Sequence, residues 1–252
     1  MAVDQRSDRP VYRQIADELR ASIQGREIAP GDYLPSEADL VDRYGVSRIT
    51  IQRATSVLVA EGRVEIERGR GVKVRDVGPV LRLGTGRFSR KARQSGKGAL
   101  AAEAEAQGLT WRSEDLGTEE VDAPLAAREI LGEDRAVVKR RRMWVADRPT
   151  QLADSYLPLS LAEQIGYLRG ATAPGGVYGL IEQHGRMITR YREELQARPA
   201  EPEEAVSLDL PIGAPVVRLV RVAYVGDTAV EYFDSVAAGD KHIYRYDFPA
   251  PD

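Results

Sequence analysis

Leu34-Pro-Ser-Glu-Ala-Asp-Leu-Val-Asp-Arg-Tyr-Gly-Val-Ser-Arg-Ile-Thr-Ile-Gln-Arg-Ala54 reads as two short helices meeting at a glycine corner. Ser36 suits the cap of the first helix, and Asp39 three residues on makes a weak capping box. Ala38, Leu40, Val41 and Tyr44 form its apolar stripe. Gly45 fits the left-handed residue that ends such a helix. Ser47 caps a second helix that runs to about Glu61 and closes at Gly62. On it Ile51, Ala54 and Leu58 recur at helical spacing and face a core. The other face carries Arg48, Ile49, Gln52, Arg53 and Ser56. Helix, glycine turn, helix is a layout that places side chains in the DNA major groove. Arginine pairs with guanine and glutamine with adenine in bidentate fashion, so Arg48, Gln52 and Arg53 suit base edges. Ser36, Ser47 and Thr50 lie near helix N-termini, where short hydroxyls and free amides bind phosphates. Helix pairs of this kind also occur in proteins that never meet DNA, and such arginines can be a solvated face.

The flanking sequence narrows the choice. Val64-Glu-Ile66 and Val72-Lys-Val74 alternate like two strands around the basic turn Glu67-Arg68-Gly69-Arg70-Gly71. A hairpin after a recognition helix is a wing, and arginines at its tip suit the negative potential of the minor groove. Upstream, Val11, Ile15, Leu19 and Ile23 form an amphipathic helix that stops at Gly25. The order predicts a winged helix-turn-helix over residues 1–76. Residues 10–75 resemble the DNA-binding domain of the GntR family of bacterial transcription regulators. The matching segments are Pro10-Val-Tyr-Arg-Gln-Ile15, Pro30-Gly-Asp-Tyr-Leu-Pro-Ser-Glu37, Tyr44-Gly-Val-Ser-Arg-Ile-Thr-Ile51 and Gly69-Arg-Gly-Val-Lys-Val74. The resemblance implies DNA contacts at Arg48, Thr50, Gln52, Arg68 and Gly69, to which the wing chemistry adds Arg70. Ala38 and Gln52 stand where that family usually has arginine, so the operator sequence does not carry over.

Composition bounds the rest. The chain has 252 residues, enough for two small domains, and no cysteine. Disulfides, thiolate catalysis and cysteine-ligated zinc are thereby excluded. Two histidines argue against a histidine-rich metal site, and no cofactor is expected. No apolar segment approaches the roughly 20 residues that span a bilayer. Asp4, Arg6, Asp8 and Arg9 break any signal-peptide pattern at the start. These features fit a cytoplasmic protein, and the resemblance implies a bacterial, nucleoid-associated one. The net charge of −3 is unevenly spread: residues 77–98 carry six basic residues and no acid. Residues 99–252 hold 17 basic against 26 acidic. Phosphate neutralisation drives nonspecific DNA affinity, so the basic share sits in the half that needs it; a charged linker is also simply soluble.

Asp76-Val-Gly-Pro79 breaks the pattern and marks a boundary, with a basic linker over 77–97 and a second domain over 98–252. There helices are predicted at Gly98–Gln107, Pro124–Leu131 and near 160–169, 177–184 and 202–208. Strands are predicted at Ala136–Val145, up to Leu157, Val216–Val225, Thr228–Ala237 and His242–Phe248. Hairpin-joined strands with helices between them predict an α+β domain on an antiparallel sheet. This half resembles the UTRA effector domain of the HutC-type branch of the same family. The resemblance rests on Gln151-Leu-Ala-Asp-Ser-Tyr-Leu-Pro158, Gly213-Ala-Pro-Val-Val-Arg-Leu219, Ala229-Val-Glu-Tyr232 and Ala238-Gly-Asp-Lys-His-Ile-Tyr244. It implies a fold similar to chorismate lyase that binds small molecules, and it makes Glu231 the best single pocket residue.

Further candidates come from the residues themselves. Arg93-Gln-Ser-Gly-Lys-Gly98 precedes a helix, so Ser95 and Lys97 suit an anion site at its N-terminus, or belong to a flexible linker. Arg140 and Arg142 share a strand face and either reach an anionic effector or face solvent. Tyr156 and Tyr244 either line the pocket or serve as core aromatics. The expected function is a ligand-responsive repressor that binds a roughly palindromic operator as a symmetric dimer. An enzyme using the lyase-like fold and a winged-helix protein-interaction module are the alternatives.

Overall fold

The computed structural model describes residues 7–75, 78–84, 98–169, 173–248 and 250. The chain divides into two compact units, Met1–Gly78 and Pro79–Asp252.

In the first unit, α1 (Val11–Gln24), α2 (Glu37–Tyr44) and α3 (Arg48–Ala60) precede the hairpin β1 (Val64–Glu67) and β2 (Gly71–Val74). The α2–α3 corner forms for local reasons. Ser36 Oγ accepts from Asp39 N at 3.2 Å while Asp39 Oδ2 accepts from Ser36 N at 3.1 Å, a reciprocal capping box. Gly45 adopts φ 63° and ψ 37°, a left-handed conformation that costs other residues about 1–2 kcal/mol. Ser47 Oγ then accepts from Thr50 N to start α3. Ile15, Leu19, Leu40, Ile51, Leu58, Val64 and Val74 form the core. Each such side chain contributes about 1.5–3 kcal/mol on burial. The hairpin gains a third chain: Leu34 N donates to Val72 O and Val74 N to Asp32 O.

The second unit is built on a six-stranded antiparallel sheet in the order β4-β5-β6-β9-β8-β7. Its strands are β4 (Trp111–Asp122), β5 (Arg135–Val145), β6 (Arg148–Pro158), β7 (Arg190–Pro199), β8 (Pro215–Val225) and β9 (Thr228–Ala238). Both faces are covered. Helix α5 (Leu125–Leu131) packs with Val138, Tyr156, Val222 and Tyr232 on one face. Helices α6 (Leu159–Gln164) and α7 (Gly176–Gln183) pack with Val137, Leu157 and Ala223 on the other. A short helix, α8 (Pro202–Ser207), connects β7 to β8.

The segment expected as a linker over 77–97 includes one strand among its described residues. Val80–Leu83 is a strand, β3, paired in parallel with β10 (His242–Arg245). It belongs to the second unit because Val80 is buried with Leu100, Ala104 and Val145. Two strands of the main sheet, β4 and β7, lie where no strand was predicted.

Candidate functional site

In the first unit α3 presents Arg48, Ile49, Gln52, Arg53 and Ser56 to solvent, opposite buried Ile51, Ala54 and Leu58. Ile49 is 63% exposed, unusual for so apolar a residue and suited to a thymine methyl group. Glu37 at the start of α2 holds two of the predicted readers: Arg48 as an ion pair and Gln52, whose Nε2 donates to Glu37 Oε2 at 3.0 Å. Arg53 and Arg68 have no ion pair among the described residues. Ser36 and Ser47 are exposed at their helix N-termini, and Thr50 is half-buried with its hydroxyl 2.9 Å from that of Ser47. At the hairpin tip Arg68, Gly69 and Arg70 are all exposed, and Gly69 has φ 77°. Arg70 Nη1 lies 3.4 Å from Glu67, whose carboxylate also accepts from Tyr33 OH at 2.6 Å.

In the second unit a cavity of about 320 Å³ opens on the α7 face of the sheet. Its wall includes Arg82, Ser113, Arg141, Gln151, Arg221 and Phe233, together with Gly98–Ala101 at the start of α4 (Ala99–Ala106). Gly98 makes no side-chain cap, and the first-turn amides of a helix have no partner within it. An adjoining cavity of similar volume shares Ser113, Arg141 and Gly176 and adds Asp115, Lys139 and Tyr167.

Two hydrogen-bonded relays end on one carboxylate. Arg141 Nη2 donates to Ser155 Oγ at 2.9 Å, and Ser155 donates to Glu231 Oε1 at 2.8 Å. Arg221 Nε donates to Tyr178 OH at 2.9 Å, and Tyr178 donates to Glu231 Oε2. Glu231 is 1% exposed, and Arg221 Nη2 lies 3.9 Å from it. Burial pushes the Tyr178 hydroxyl well above its ordinary range, so it stays a donor. Burial disfavours the charged Arg221 guanidinium, but Tyr178, Glu231 and Glu193 together outweigh this and raise it above its ordinary value. Phe233 stacks 4.3 Å from the same guanidinium. Arg141 differs from Arg82 and Arg221: it has no ion pair among the described residues, and its Nε is buried without a hydrogen-bond partner.

The expected pocket residues divide. Glu231 lies at the centre of the network behind the cavity wall. Tyr244 packs against Ala153, Leu219 and Phe233, directly behind the lining. Arg140 and Arg142 are not part of the cavity. Arg140 pairs with Glu119 and lies 3.7 Å from Asp154. Arg142 grips Glu114 with two bonds of 2.8 and 2.9 Å. Strand alternation turns both away and aims Arg141 between them inward. Tyr156 is on the α5 face, its ring centroid 6.2 Å from that of Tyr232. Ser95 and Lys97 lie outside the described residues. Sequence reasoning missed Arg82, Arg141, Ser155, Tyr178 and Arg221. Arg141 alone had a signal, since it lies between Arg140 and Arg142 on the same expected strand.

A winged DNA-reading domain joined to a cavity domain with inward arginines defines a DNA-binding regulator with a small-molecule domain. Residues 11–74 match the gntR family of bacterial regulatory proteins and residues 106–243 match the UTRA domain. The chain belongs to the GntR family of transcription regulators, in its HutC-type, UTRA-bearing branch. It is 30% identical to the HTH-type transcriptional repressor NagR of Bacillus subtilis, over 97% of each chain. It is 26% identical to the mannosyl-D-glycerate transport/metabolism system repressor MngR of Escherichia coli, over 88% of each. The crystal structure of PhnF from Mycobacterium smegmatis shares the fold, with a TM-score of 0.60, 24% identity and coverage of 94% of this chain and 100% of that one. Proteins of this family bind DNA operators and, through the UTRA domain, small-molecule effectors. No helix among the described residues is long and apolar enough to cross a membrane.

Proposed function

We propose that this regulator represses transcription until a small anionic metabolite, a phosphate ester or a carboxylate such as a sugar acid, occupies the arginine-lined cavity. The observation that carries this reading is Arg141. A guanidinium in no ion pair among the described residues, with a buried, unpartnered Nε and Asp115 as its cross-strand neighbour, faces a cavity bordered by the first-turn amides of α4. That combination favours an anion twice over, through charge and through unpaired donors. Glu231, braced by Ser155 and Tyr178, fixes the wall rather than reacting. The ring Nδ1 of His184 and of His242 each pairs with a backbone carbonyl, of Leu180 and Ala238, and neither histidine lines the cavity. This favours binding over turnover, and incubation with a bound metabolite should return it unchanged.

On DNA, Arg48, Ile49, Gln52 and Arg53 read base edges, while Ser36, Ser47 and Thr50 contact phosphates. Arg68, Gly69 and Arg70 meet the minor groove. A symmetric dimer on a roughly palindromic operator is the arrangement that suits one reading helix per chain. The DNA test is salt-dependent binding to the region upstream of its own gene. There Arg48→Ala should weaken specific binding by about 1–3 kcal/mol. Unchanged affinity in that variant removes Arg48 from the reading face. The ligand test is a thermal-shift screen of sugar phosphates and sugar acids, because a ligand at 100 times its Kd adds about 2.7 kcal/mol to stability. A response confined to neutral sugars would refute the anionic reading.

A further inference from the structure

Among the described residues strand β3 has one strand neighbour, β10, and its other edge is held by side chains. Gln107 Oε1 accepts from Leu81 N at 2.9 Å, and its Nε2 donates to Leu81 O at 3.0 Å. One helical turn earlier, Glu103 Oε1 accepts from Leu83 N at 2.6 Å. Helix α4 therefore replaces a strand along that edge. The other carboxylate oxygen of Glu103 accepts from Arg82 Nε at 2.6 Å, and Arg82 Nη1 donates to Gln151 Oε1 at 3.0 Å. Arg82, Glu103 and Gln151 are all buried. Arg82 and Gln151 line the same cavity as the first turn of α4. One helix thus carries both a ligand-facing end and the grip on β3. Five residues, Arg75–Pro79, separate β3 from the last wing residue, Val74.

We propose that Arg82 is the positioning residue that ties occupancy of the cavity to the hold on β3. The proposal rests on the cavity being the effector site. Glu103 divides its carboxylate between a guanidinium and the Leu83 amide. An anion seated at the α4 N-terminus competes with Glu103 for Arg82. When Arg82 turns to the anion, Glu103 loses its charged partner and the clip on Leu83 weakens. Such coupling is reciprocal: the hold on β3 also sets anion affinity.

Hydrogen exchange on the full chain, with inorganic phosphate as the probe anion, tests this. In the wild type, phosphate should slow exchange across Ala99–Ala106 and speed it several-fold across Val80–Leu83. In R82Q/E103Q, which keeps a polar pair without charge, phosphate should still slow Ala99–Ala106 but leave Val80–Leu83 unchanged. Q107A serves as the control and does not depend on the double variant folding. It removes an exposed side chain, so basal exchange of β3 should rise while the phosphate response persists. The coupling role falls if β3 responds equally in R82Q/E103Q, if β3 stays silent in the wild type while α4 responds, or if Q107A alone abolishes the response. Absence of any phosphate effect on Ala99–Ala106 instead refutes the cavity reading, and the coupling with it.

Discussion

Replacing Arg141 with methionine isolates the anion anchor. The side chain's stem is roughly conserved in length, so the cavity wall keeps its apolar contacts. In the folded chain Arg141 gives one described hydrogen bond, to the neutral Ser155 Oγ, and keeps a buried Nε without an acceptor. A bound anion therefore gains at least one charge-assisted hydrogen bond that the substitution abolishes. A hydrogen bond to a charged group is worth about 1.5–3 kcal/mol. The dissociation constant of an anionic metabolite should rise by roughly 10- to 150-fold. Losing the Ser155 partner costs little, because Ser155 still donates to Glu231. Isothermal titration of a sugar phosphate or sugar acid that shifts the wild-type melting curve measures the change. Operator affinity without metabolite serves as the internal control and should not move. Arg141→Met binding the same anion within threefold of wild type would refute the assignment, and Lys139 across the adjoining cavity would be the next anchor to test.

Four outcomes elsewhere are as direct. Ser36→Ala should cost the DNA-binding unit about 1 kcal/mol by removing the capping box. Both tryptophans, Trp111 and Trp144, are in the second unit, so the urea transition followed by circular dichroism should shift while the tryptophan fluorescence transition stays in place. Glu37→Ala should release Arg48 and Gln52 and raise affinity for an unrelated duplex, with a steeper salt dependence in fluorescence anisotropy; equal affinity would show that Glu37 does not restrain them. Glu114 is held at a pKa of about 2, below its ordinary 4.5, chiefly by the Arg142 hydrogen bonds. Because its folded value is depressed, the stabilisation from this pair is present above pH 4.5 and is lost as pH falls through about 2. Carbon NMR of the Glu114 carboxyl should titrate there, and Arg142→Ala should raise it toward the ordinary range, with the Trp144 hydrogen bond still holding it down.

The winged domain was legible because its determinants are local. Ser36, Gly45 and Ser47 each specify a backbone state within three or four residues. The sheet was legible only where strands are buried. β4 and β7 are the two edges, and both are mostly exposed along their length. Trp111–Asp122 carries Glu114, Asp115, Glu119 and Glu120, with no apolar alternation to mark a strand. The inward arginine was hidden for the opposite reason. Ala136, Val137 and Val138 are all completely buried, because helices cover both faces of β5. Alternation separates Arg140 and Arg142 from Arg141, but with both faces apolar it does not say which side holds the cavity. Glu231 came from family resemblance; its partners Ser155 and Tyr178 lie 76 and 53 positions away, and only the fold brings them together.

The parallel pairing of β3 with β10 has a consequence for synthesis. His242 pairs with Val80, 162 positions earlier. The winged unit, by contrast, is complete by Gly78. At about 5–20 residues per second, the ribosome takes roughly 8–30 s to cover the interval. During that time a nascent chain has made the whole first unit, while β3 waits for its partner. A chain stopped short of His242 carries the whole first unit without the strand pair that completes the second.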